Sequence, residues 1–422
     1  MRTLVIGVAL LLASPALADE PPLAIRNAVV ETLAAAGRIE GATVLVRDGK
    51  IAAVGTDVAV PDNATVIDAA GGTVMPGVID PYFEVTIAAG AADAAAPRTI
   101  VGRGGRPGGM GGFGNRGGGA AFTRVADNFY PFDPGYKPLP RVGLTRLNLV
   151  TTGAGQAAVV RVTPADPEHM LELADGTAYA TVTNSTDSLD QVRTKLDSAA
   201  RSLRLGTRPA PGSPQAAGTQ LWNEVHDGKT ALVAQCGSPA AVLHLLKAIE
   251  PYRSVQLVLF LTGDAIYETA SALKDHKARV ILRPGLDLVP NTRDRFNPAR
   301  LLHEAGVEFA FSLTARPPAQ PAAGRLGAAP TPTDEAETTP PLTIDVDFPL
   351  FPVAMLVKTG LPRRQALEAL AKKPATLLGL DKTHGTIEPG KSADLLLFTG
   401  DPLDPASRLR RTLIDGRTAY AN

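Results

Sequence analysis

The middle of the chain alternates short apolar runs with amphipathic segments, and this alternation constrains the fold more than any other feature. Eight runs have the composition of buried strands. They lie at residues 74–80, 144–150, 157–162, 178–183, 230–235, 255–261, 278–282 and 307–311. Apolar residues at helical spacing separate several of them, as at 240–249, 265–273 and 298–305. Strands that alternate with helices form parallel sheets, and eight such units predict an α/β fold of the (β/α)8 TIM barrel type.

Both ends of the chain are rich in short strand-like runs that are broken by Gly, Pro and Asp. The first end covers residues 24–73, with a predicted hairpin turn at Asp48-Gly49, and the second covers residues 384–422. Two β-rich ends around a long α/β middle predict a small composite β-sandwich domain formed by both termini, with the barrel at 74–383. A length of 422 residues suits this two-domain arrangement.

Two segments within the predicted barrel have the composition of loops. Residues 94–121 are rich in Gly and Arg, and residues 317–341 are rich in Pro, Ala and Thr. Neither segment can bury enough apolar surface to offset the entropy lost on ordering. Both are therefore predicted to be flexible insertions.

The first 18 residues have the pattern of a secretory signal peptide. Arg2 precedes an apolar run at 4–12, and small residues at Ala16 and Ala18 mark a cleavage site. The alternative, a membrane anchor, is disfavoured because the apolar run is too short to cross a bilayer. We therefore expect an exported protein, periplasmic or secreted, with no membrane span after cleavage. Its 42 basic and 42 acidic residues balance, which argues against a nucleic acid partner.

Short motifs at both ends of the predicted barrel form a recognisable series. They are Pro76-Gly77-Val78-Ile79-Asp80 in the first strand, Gln365-Ala366-Leu367 and Pro374-Ala375 near the last helix, and Gly385-Thr386-Ile387-Glu388-Pro389-Gly390-Lys391 and Ala393-Asp394-Leu395 in the returning strands. This series resembles the amidohydrolase superfamily, and specifically its imidazolonepropionase-like branch. The resemblance covers nearly all of the chain after the signal peptide and implies the same barrel.

The resemblance also implies where a metal site should lie. In the family a His-Xaa-His pair follows the first strand, a Lys or Glu closes the fourth, single His residues end the fifth and sixth, and an Asp ends the eighth. The cation polarises the scissile carbonyl and lowers the pKa of a bound water. In this sequence Tyr82 and Glu84 stand in the places of the His pair, and the other strand ends also differ. They carry Thr181 and Thr183, Gln235-Cys236, Leu261-Thr262 and Phe311-Ser312-Leu313-Thr314. The metal site is thus predicted to be degenerate, with no zinc, no other divalent metal and no other cofactor.

The six histidines do not supply the missing ligands. None of them forms a His-Xaa-His or His-Glu-Xaa-Xaa-His motif, and we interpret them as surface or capping residues. They are His169, His226, His244, His276, His303 and His384.

Glu84 and Tyr82 are the candidate catalytic residues that remain at the predicted barrel mouth. Glu84 is either a lone general base or single metal ligand, or a carboxylate that is paired with an Arg or solvated. Tyr82 is available to bond Glu84 or a ligand. Asp80 is interpreted as structural and Asp264 as a helix cap. Cys236 ends a barrel strand, where a nucleophile would be well placed, but no base adjoins it in sequence, so it is interpreted as a buried filler.

These observations favour a catalytically inactive amidohydrolase-like protein, a pseudoenzyme that binds a small molecule or a partner such as an active relative. The alternative is an active hydrolase of carbon–nitrogen bonds other than peptide bonds, with Glu84 in a remodelled site. Whether the protein is an enzyme therefore stays open. A third hypothesis is an envelope scaffold that contacts a partner through residues 94–121 and its Pro-rich segment. The sequence leaves the oligomeric state open.

Overall fold

The computed structural model describes residues 21–85, 122–182, 186–206, 214–314 and 348–422. The predicted signal peptide and both predicted insertions lie outside these residues. Among the helices described, none combines the length and the apolar character that crossing a bilayer requires.

The described residues form 21 strands and eight α-helices. The strands are β1 (Leu23–Glu31), β2 (Arg38–Arg47), β3 (Lys50–Gly55), β4 (Thr65–Asp68), β5 (Thr73–Pro76), β6 (Val78–Glu84), β7 (Thr123–Arg124), β8 (Leu144–Val150), β9 (Ala154–Gln156), β10 (Ala158–Arg161), β11 (Leu171–Leu173), β12 (Ala178–Val182), β13 (Leu232–Cys236), β14 (Leu257–Leu261), β15 (Arg279–Leu282), β16 (Asp287–Leu288), β17 (Arg295–Phe296), β18 (Phe309–Phe311), β19 (Leu395–Phe398), β20 (Leu409–Ile414) and β21 (Arg417–Ala421). The helices are α1 (Thr186–Leu205), α2 (Pro214–His226), α3 (Pro239–Ile249), α4 (Gly263–Asp275), α5 (Pro298–Ala305), α6 (Phe351–Lys358), α7 (Arg363–Glu368) and α8 (Lys372–Leu377). Short 3-10 helices lie at Val125–Asn128, Pro134–Tyr136, Leu139–Val142 and Pro167–His169.

The two ends of the chain meet in one mixed sheet. Its order is β21-β20-β19-β5-β1-β2-β3, with β4 beside β1. The ends join where β5 pairs antiparallel with β19 and Met75 lies opposite Leu396. The predicted hairpin turn joins β2 to β3, and the positive φ angles of Asp48 (49°) and Gly49 (73°) match a type I′ turn. The termini therefore share a sheet, as a composite domain requires, while the domain boundaries stay a prediction.

Seven of the predicted strands run parallel to their neighbours. β6 pairs with β8, and β12, β13, β14, β15 and β18 follow one another in a second sheet. Their residues are almost all buried, as in strands covered on both faces. The two sheets approach each other at β6 and β18, where the Ser312 hydroxyl donates to the carbonyl of Tyr82 at 3.0 Å. The result is a mixed α/β fold that resembles a TIM barrel.

The third predicted strand runs in the opposite direction to the expected one. It is split into β9 and β10, and β10 pairs antiparallel with β8 while β9 pairs antiparallel with β12. The chain turns back within three residues after Val150, at Gly153 with a φ of 93°. A parallel crossover needs about a dozen residues. A link as short as this one therefore permits only an antiparallel return.

The first predicted strand, 74–80, is divided between two sheets. β5 belongs to the sheet of the chain ends, and β6 begins after Gly77. A Cβ atom on Gly77 would lie 2.4 Å from Cγ2 of Thr145. The chain therefore passes from one sheet to the other at Gly77, where its backbone lies directly against the side chain of Thr145.

A buried charge cluster connects β8 to the returning strands. Arg146 is 0% exposed and its guanidinium is ion-paired with Glu172, with Asp394 at 2.9 Å and with Asp415 at 3.0 Å. Burial raises the pKa of Asp394. Burial would also raise the pKa of Asp415, but Arg146 and the other partners of Asp415 hold this pKa below its usual value. This cluster, defined by Arg146, Glu172, Asp394 and Asp415, joins segments that are more than 200 residues apart in sequence.

Candidate functional site

The end of β6 carries both predicted catalytic residues. Tyr82 is 4% exposed, and its ring stacks on Phe260 of β14 with 4.4 Å between centroids and 18° between planes. β6 and β14 belong to different sheets, so the stack crosses the space between them. The aromatic pair thus connects the two sheets near the carboxyl ends of β6 and β14, and Tyr82 lies where the family resemblance places one of the first two metal ligands.

The phenol of Tyr82 is held in its protonated form. Burial, followed by the nearby Glu84 carboxylate and Tyr179, raises the pKa of Tyr82 above its usual value. Glu84 is half-buried at the end of β6. Tyr82 can therefore donate a hydrogen bond but cannot act as a base near neutral pH. The structure brings Tyr82 and Glu84 close enough to interact, and their catalytic role stays a prediction.

Asp80 connects the end of β6 to the segment after β18. It is fully buried and accepts hydrogen bonds from the Tyr82 amide at 3.0 Å and from the amide and hydroxyl of Thr314 at 3.0 and 2.7 Å. Burial raises the pKa of Asp80, although these hydrogen bonds favour its charged form. The contacts support the structural role that the sequence indicated.

Cys236 and Asp264 differ in how well they match their interpretations. Cys236 is 1% exposed, and burial raises the pKa of its thiol to about 12, so the thiolate that a nucleophile needs is not formed. The prediction that Asp264 caps α4 is wrong. The helix begins at Gly263 with Thr262 as its N-cap residue, and no side chain bonds there. Asp264 lies inside the first turn, where its negative charge interacts favourably with the positive end of the helix dipole.

The interpretation of the histidines as surface or capping residues fails for His384. It is 6% exposed and its Nε2 lies 3.6 Å from Glu172 and 3.8 Å from Asp394, within the buried charge cluster. Burial lowers the pKa of His384. The sequence showed no sign of this because Arg146 and Glu172 of the cluster lie more than 200 residues before His384. His169, by contrast, is exposed and pairs with Asp166.

The strand ends do not present the ligands that a family metal would need. Across the described ranges, no group of three or more His, Cys, Asp or Glu side chains is arranged to hold a metal ion. Tyr82, Thr262 and Ser312 stand where imidazole or carboxylate ligands would be expected, and Asp80 is already engaged by three donors. The donor set at this end of the fold therefore does not fit the metal.

Comparison with known sequences finds similarity over short segments of the chain. A model of the amidohydrolase family matches residues 353–420. A segment of 44 residues is 52% identical to the dihydroorotases of Mycobacterium tuberculosis and Mycobacterium bovis. The match spans about a tenth of this chain and a tenth of each dihydroorotase.

Comparison with solved structures covers almost the whole chain. An amidohydrolase from Thermotoga maritima matches 95% of this chain and 100% of its own, with a TM-score of 0.69 and 19% identity. The described residues thus have the fold of amidohydrolases, and residues 353–420 also match the family model. A prolidase solved with N-methylphosphonate-L-proline also matches 95% of this chain and 100% of its own, with a TM-score of 0.54 and 14% identity. At these identities the structures show the shared fold, and the imidazolonepropionase-like branch stays a prediction.

These matches correct the prediction that no cofactor is used. The matched family and the structural neighbours are amidohydrolases, which are typically metal-dependent. The prediction of no cofactor is therefore wrong by comparison with these relatives. At the end of β6, Glu84 is a carboxylate of the kind that binds metals.

Proposed function

We propose that this protein is an amidohydrolase-like pseudoenzyme, which keeps the amidohydrolase fold without hydrolytic turnover and binds a small molecule or a partner such as an active relative. The proposal includes a closed (β/α)8 barrel with one antiparallel segment and a composite β-sandwich of both chain ends. The claim is that the protein does not hydrolyse a substrate, whichever metal the purified protein carries.

The Tyr82–Phe260 stack is the observation that carries this proposal. Hydrolysis of a carbon–nitrogen bond needs a reacting carbonyl and a water within reach of a base. We infer that the stacked rings, with 4.4 Å between their centroids, take up the space between β6 and β14 that this carbonyl would need. Asp80 is buried and already accepts three hydrogen bonds, and the Cys236 thiol is protonated. These groups support the fold and offer no activated base.

An active hydrolase with a remodelled site is the second candidate. Its support is the half-buried Glu84, which lies beside Tyr82 at the carboxyl end of β6. In amidohydrolase-like barrels the carboxyl ends of the strands form the active site. In this candidate Glu84 is the general base and Tyr82 a hydrogen-bond donor to the substrate.

A turnover assay separates the two candidates. The purified protein is incubated with cyclic imides, N-acyl amino acids and Xaa-Pro dipeptides, with and without added Zn²⁺ or Mn²⁺, and product release is followed by liquid chromatography. The pseudoenzyme predicts rates equal to the buffer blank. Metal content is measured on the same sample.

The remodelled site predicts a different outcome. Turnover that falls by about 100-fold or more in Glu84→Gln would overturn the pseudoenzyme proposal, because that loss is typical of a removed general base. Glu304→Gln is the matched control, since Glu304 is an exposed residue of α5. A rate that both variants lower equally would report impurity or general damage rather than catalysis by Glu84.

The N-terminal pattern supports a location. We propose that the protein is exported to the periplasm or secreted, on the basis of residues 1–18. N-terminal sequencing of the protein purified from an extracytoplasmic fraction tests this, and a chain that still begins at Met1 in the cytoplasm would contradict it.

A further inference from the structure

A cleft of about 1010 Å³ lies at the end of β8 opposite to Tyr82 and Glu84. Arg161, which lines it, pairs with Arg146 near the start of β8, whereas Glu84 pairs with Val150 at the end of that strand. The other walls come from the turn between β2 and β3 and from the β20–β21 hairpin. The volume matches the upper range of small-molecule sites. The cleft is therefore separate from the predicted barrel mouth.

Arg161 is held in place by the buried charge cluster. Its Nε lies 2.9 Å from Oδ2 of Asp415, and the other oxygen of Asp415 lies 3.0 Å from Nη2 of Arg146. Within the described part of the chain, this is the one ion pair that Arg161 forms. The two terminal amino groups of Arg161 are thus available for a ligand, and a guanidinium oriented in advance loses little entropy when it binds an oxyanion bidentately.

The charged groups of the cleft differ in how far they are already neutralised. Asp415 faces both Arg146 and Arg161, and Asp166 accepts a hydrogen bond from His169 at 2.8 Å. Lys137 lines the cleft, and no ion pair joins it to the residues that the structure describes. Arg161 therefore stays paired with Asp415, and Lys137 supplies positive charge that no carboxylate of the described residues neutralises at this surface.

The remaining lining is rich in groups that bond hydroxyls. Thr163 and Thr418 carry side-chain hydroxyls, and Asp48 and Asp166 carry carboxylates that accept hydrogen bonds. Carboxylates beside a simple anion would repel it, whereas they bind a ligand that also presents hydroxyl donors. The chemistry of the cleft thus combines one region for an oxyanion with another for hydroxyl groups.

We propose that this cleft is a ligand site for a small polyhydroxylated molecule that carries an oxyanion, a sugar acid or a sugar phosphate. Arg161 and Lys137 bind the carboxylate or phosphate group. Asp48, Thr163 and Thr418 bind the hydroxyl groups. The site is independent of turnover at the barrel mouth.

Isothermal titration calorimetry with the purified protein tests the proposal. The probes are gluconate and glucose 6-phosphate, with acetate and inorganic phosphate as oxyanions that lack the hydroxyl groups. We expect saturable binding of gluconate or glucose 6-phosphate at one site, and binding at least tenfold weaker for the two simple anions. The probe that binds more tightly shows whether the site prefers a carboxylate or a phosphate.

Three variants assign the binding to the cleft. Arg161→Gln and Lys137→Ala are each expected to weaken binding at least tenfold. Arg300→Gln is the matched control and should leave binding unchanged, because Arg300 is an exposed residue of α5 that pairs with Glu304. If Arg161→Gln fails to fold, Lys137→Ala still decides, since removing Lys137 breaks no ion pair in the described structure.

The outcomes that overturn the proposal are distinct from those that overturn the pseudoenzyme. No saturable binding of either probe, or equal binding by wild type, Arg161→Gln and Lys137→Ala, refutes the cleft site. Loss of binding in Glu84→Gln would place the ligand at the barrel mouth and also refute it. Turnover of an amide that depends on Glu84 would refute the pseudoenzyme and leave the cleft untouched.

Discussion

Replacing Arg146 with Met removes the cation from the buried charge cluster while keeping a side chain of similar length. Arg146 is 0% exposed and its partners Glu172, Asp394 and Asp415 are buried or half-buried. Each of these carboxylates lies within ion-pair distance of the guanidinium. Without it, three acidic groups share a site with His384, whose pKa burial lowers, and with Arg161, which reaches Asp415 alone.

The expected loss of stability is about 3–5 kcal/mol at pH 7, the range found when one partner of a buried ion pair is removed. This is a large share of the roughly 5–15 kcal/mol by which folded proteins are stable. The loss depends on pH. Burial already raises the pKa of Asp394 in the presence of Arg146. Losing the cation raises the pKa of Asp394 further and removes the charge that holds the pKa of Asp415 down.

A group whose pKa is higher in the folded state than in the unfolded state stabilises the fold when it is protonated. Its contribution is complete below the unfolded value of about 4 and is lost as the pH rises through the folded value. Arg146→Met should therefore be closest to wild type at acid pH and should weaken progressively toward pH 7. In the wild type the lowered pKa of Asp415 acts in the opposite sense, stabilising the fold above about pH 4.

Urea unfolding followed by circular dichroism at several values between pH 4 and pH 8 measures this difference. Arg300→Met is the control, because the exposed pair of Arg300 and Glu304 contributes at most about 0.5 kcal/mol. The double variant Arg146→Met/Asp394→Asn should recover part of the loss by removing one uncompensated charge. A stability within about 1 kcal/mol of wild type at pH 7, or a loss that does not change with pH, would refute the reasoning.

Three further predictions concern other parts of the fold. Asp80→Ala should cost about 3 kcal/mol in urea unfolding, because it leaves the Tyr82 amide and both donors of Thr314 without their acceptor, and Asp80→Asn should cost less; equal stability of Asp80→Ala and wild type would contradict this role. Gly77→Ala should lower the free energy of unfolding by about 1–3 kcal/mol, because its Cβ would lie 2.4 Å from Cγ2 of Thr145, and an unchanged unfolding midpoint would argue against the close approach. Cys236, with its pKa raised to about 12, should react with a disulfide reagent at pH 8 only after urea unfolding, so rapid labelling of the folded protein would show that the thiol is accessible.

The local pattern was enough for the class of fold and for most of its strands. Residues 257–261, which form β14, are apolar along their whole length because a strand covered on both faces must be. The turn at Asp48-Gly49 was predictable because few residues adopt positive φ at both positions. The motifs at both chain ends also led to the amidohydrolases, whose family model matches residues 353–420 and whose fold the described residues share.

The direction of the third predicted strand could not be predicted from its own residues. Residues 157–162 have the same apolar composition as the parallel strands, and composition does not encode direction. The length of the link decides, since the few residues after Val150 cannot cross over to a parallel start. Attention to that spacing would have predicted the antiparallel pairing of β10 with β8.

The sequence by itself determined which residue types stand at each strand end, and the family resemblance predicts that Tyr82 and Glu84 lie where a His pair would. Only the tertiary structure decided what the residues of β6 contact, because it alone brings Phe260 against Tyr82 and Thr314 against Asp80. The same holds for Arg146, whose partners lie up to 269 residues away. A hydrogen bond or an ion pair depends on the distance between atoms, and chain spacing says little about that distance once the chain has folded back on itself.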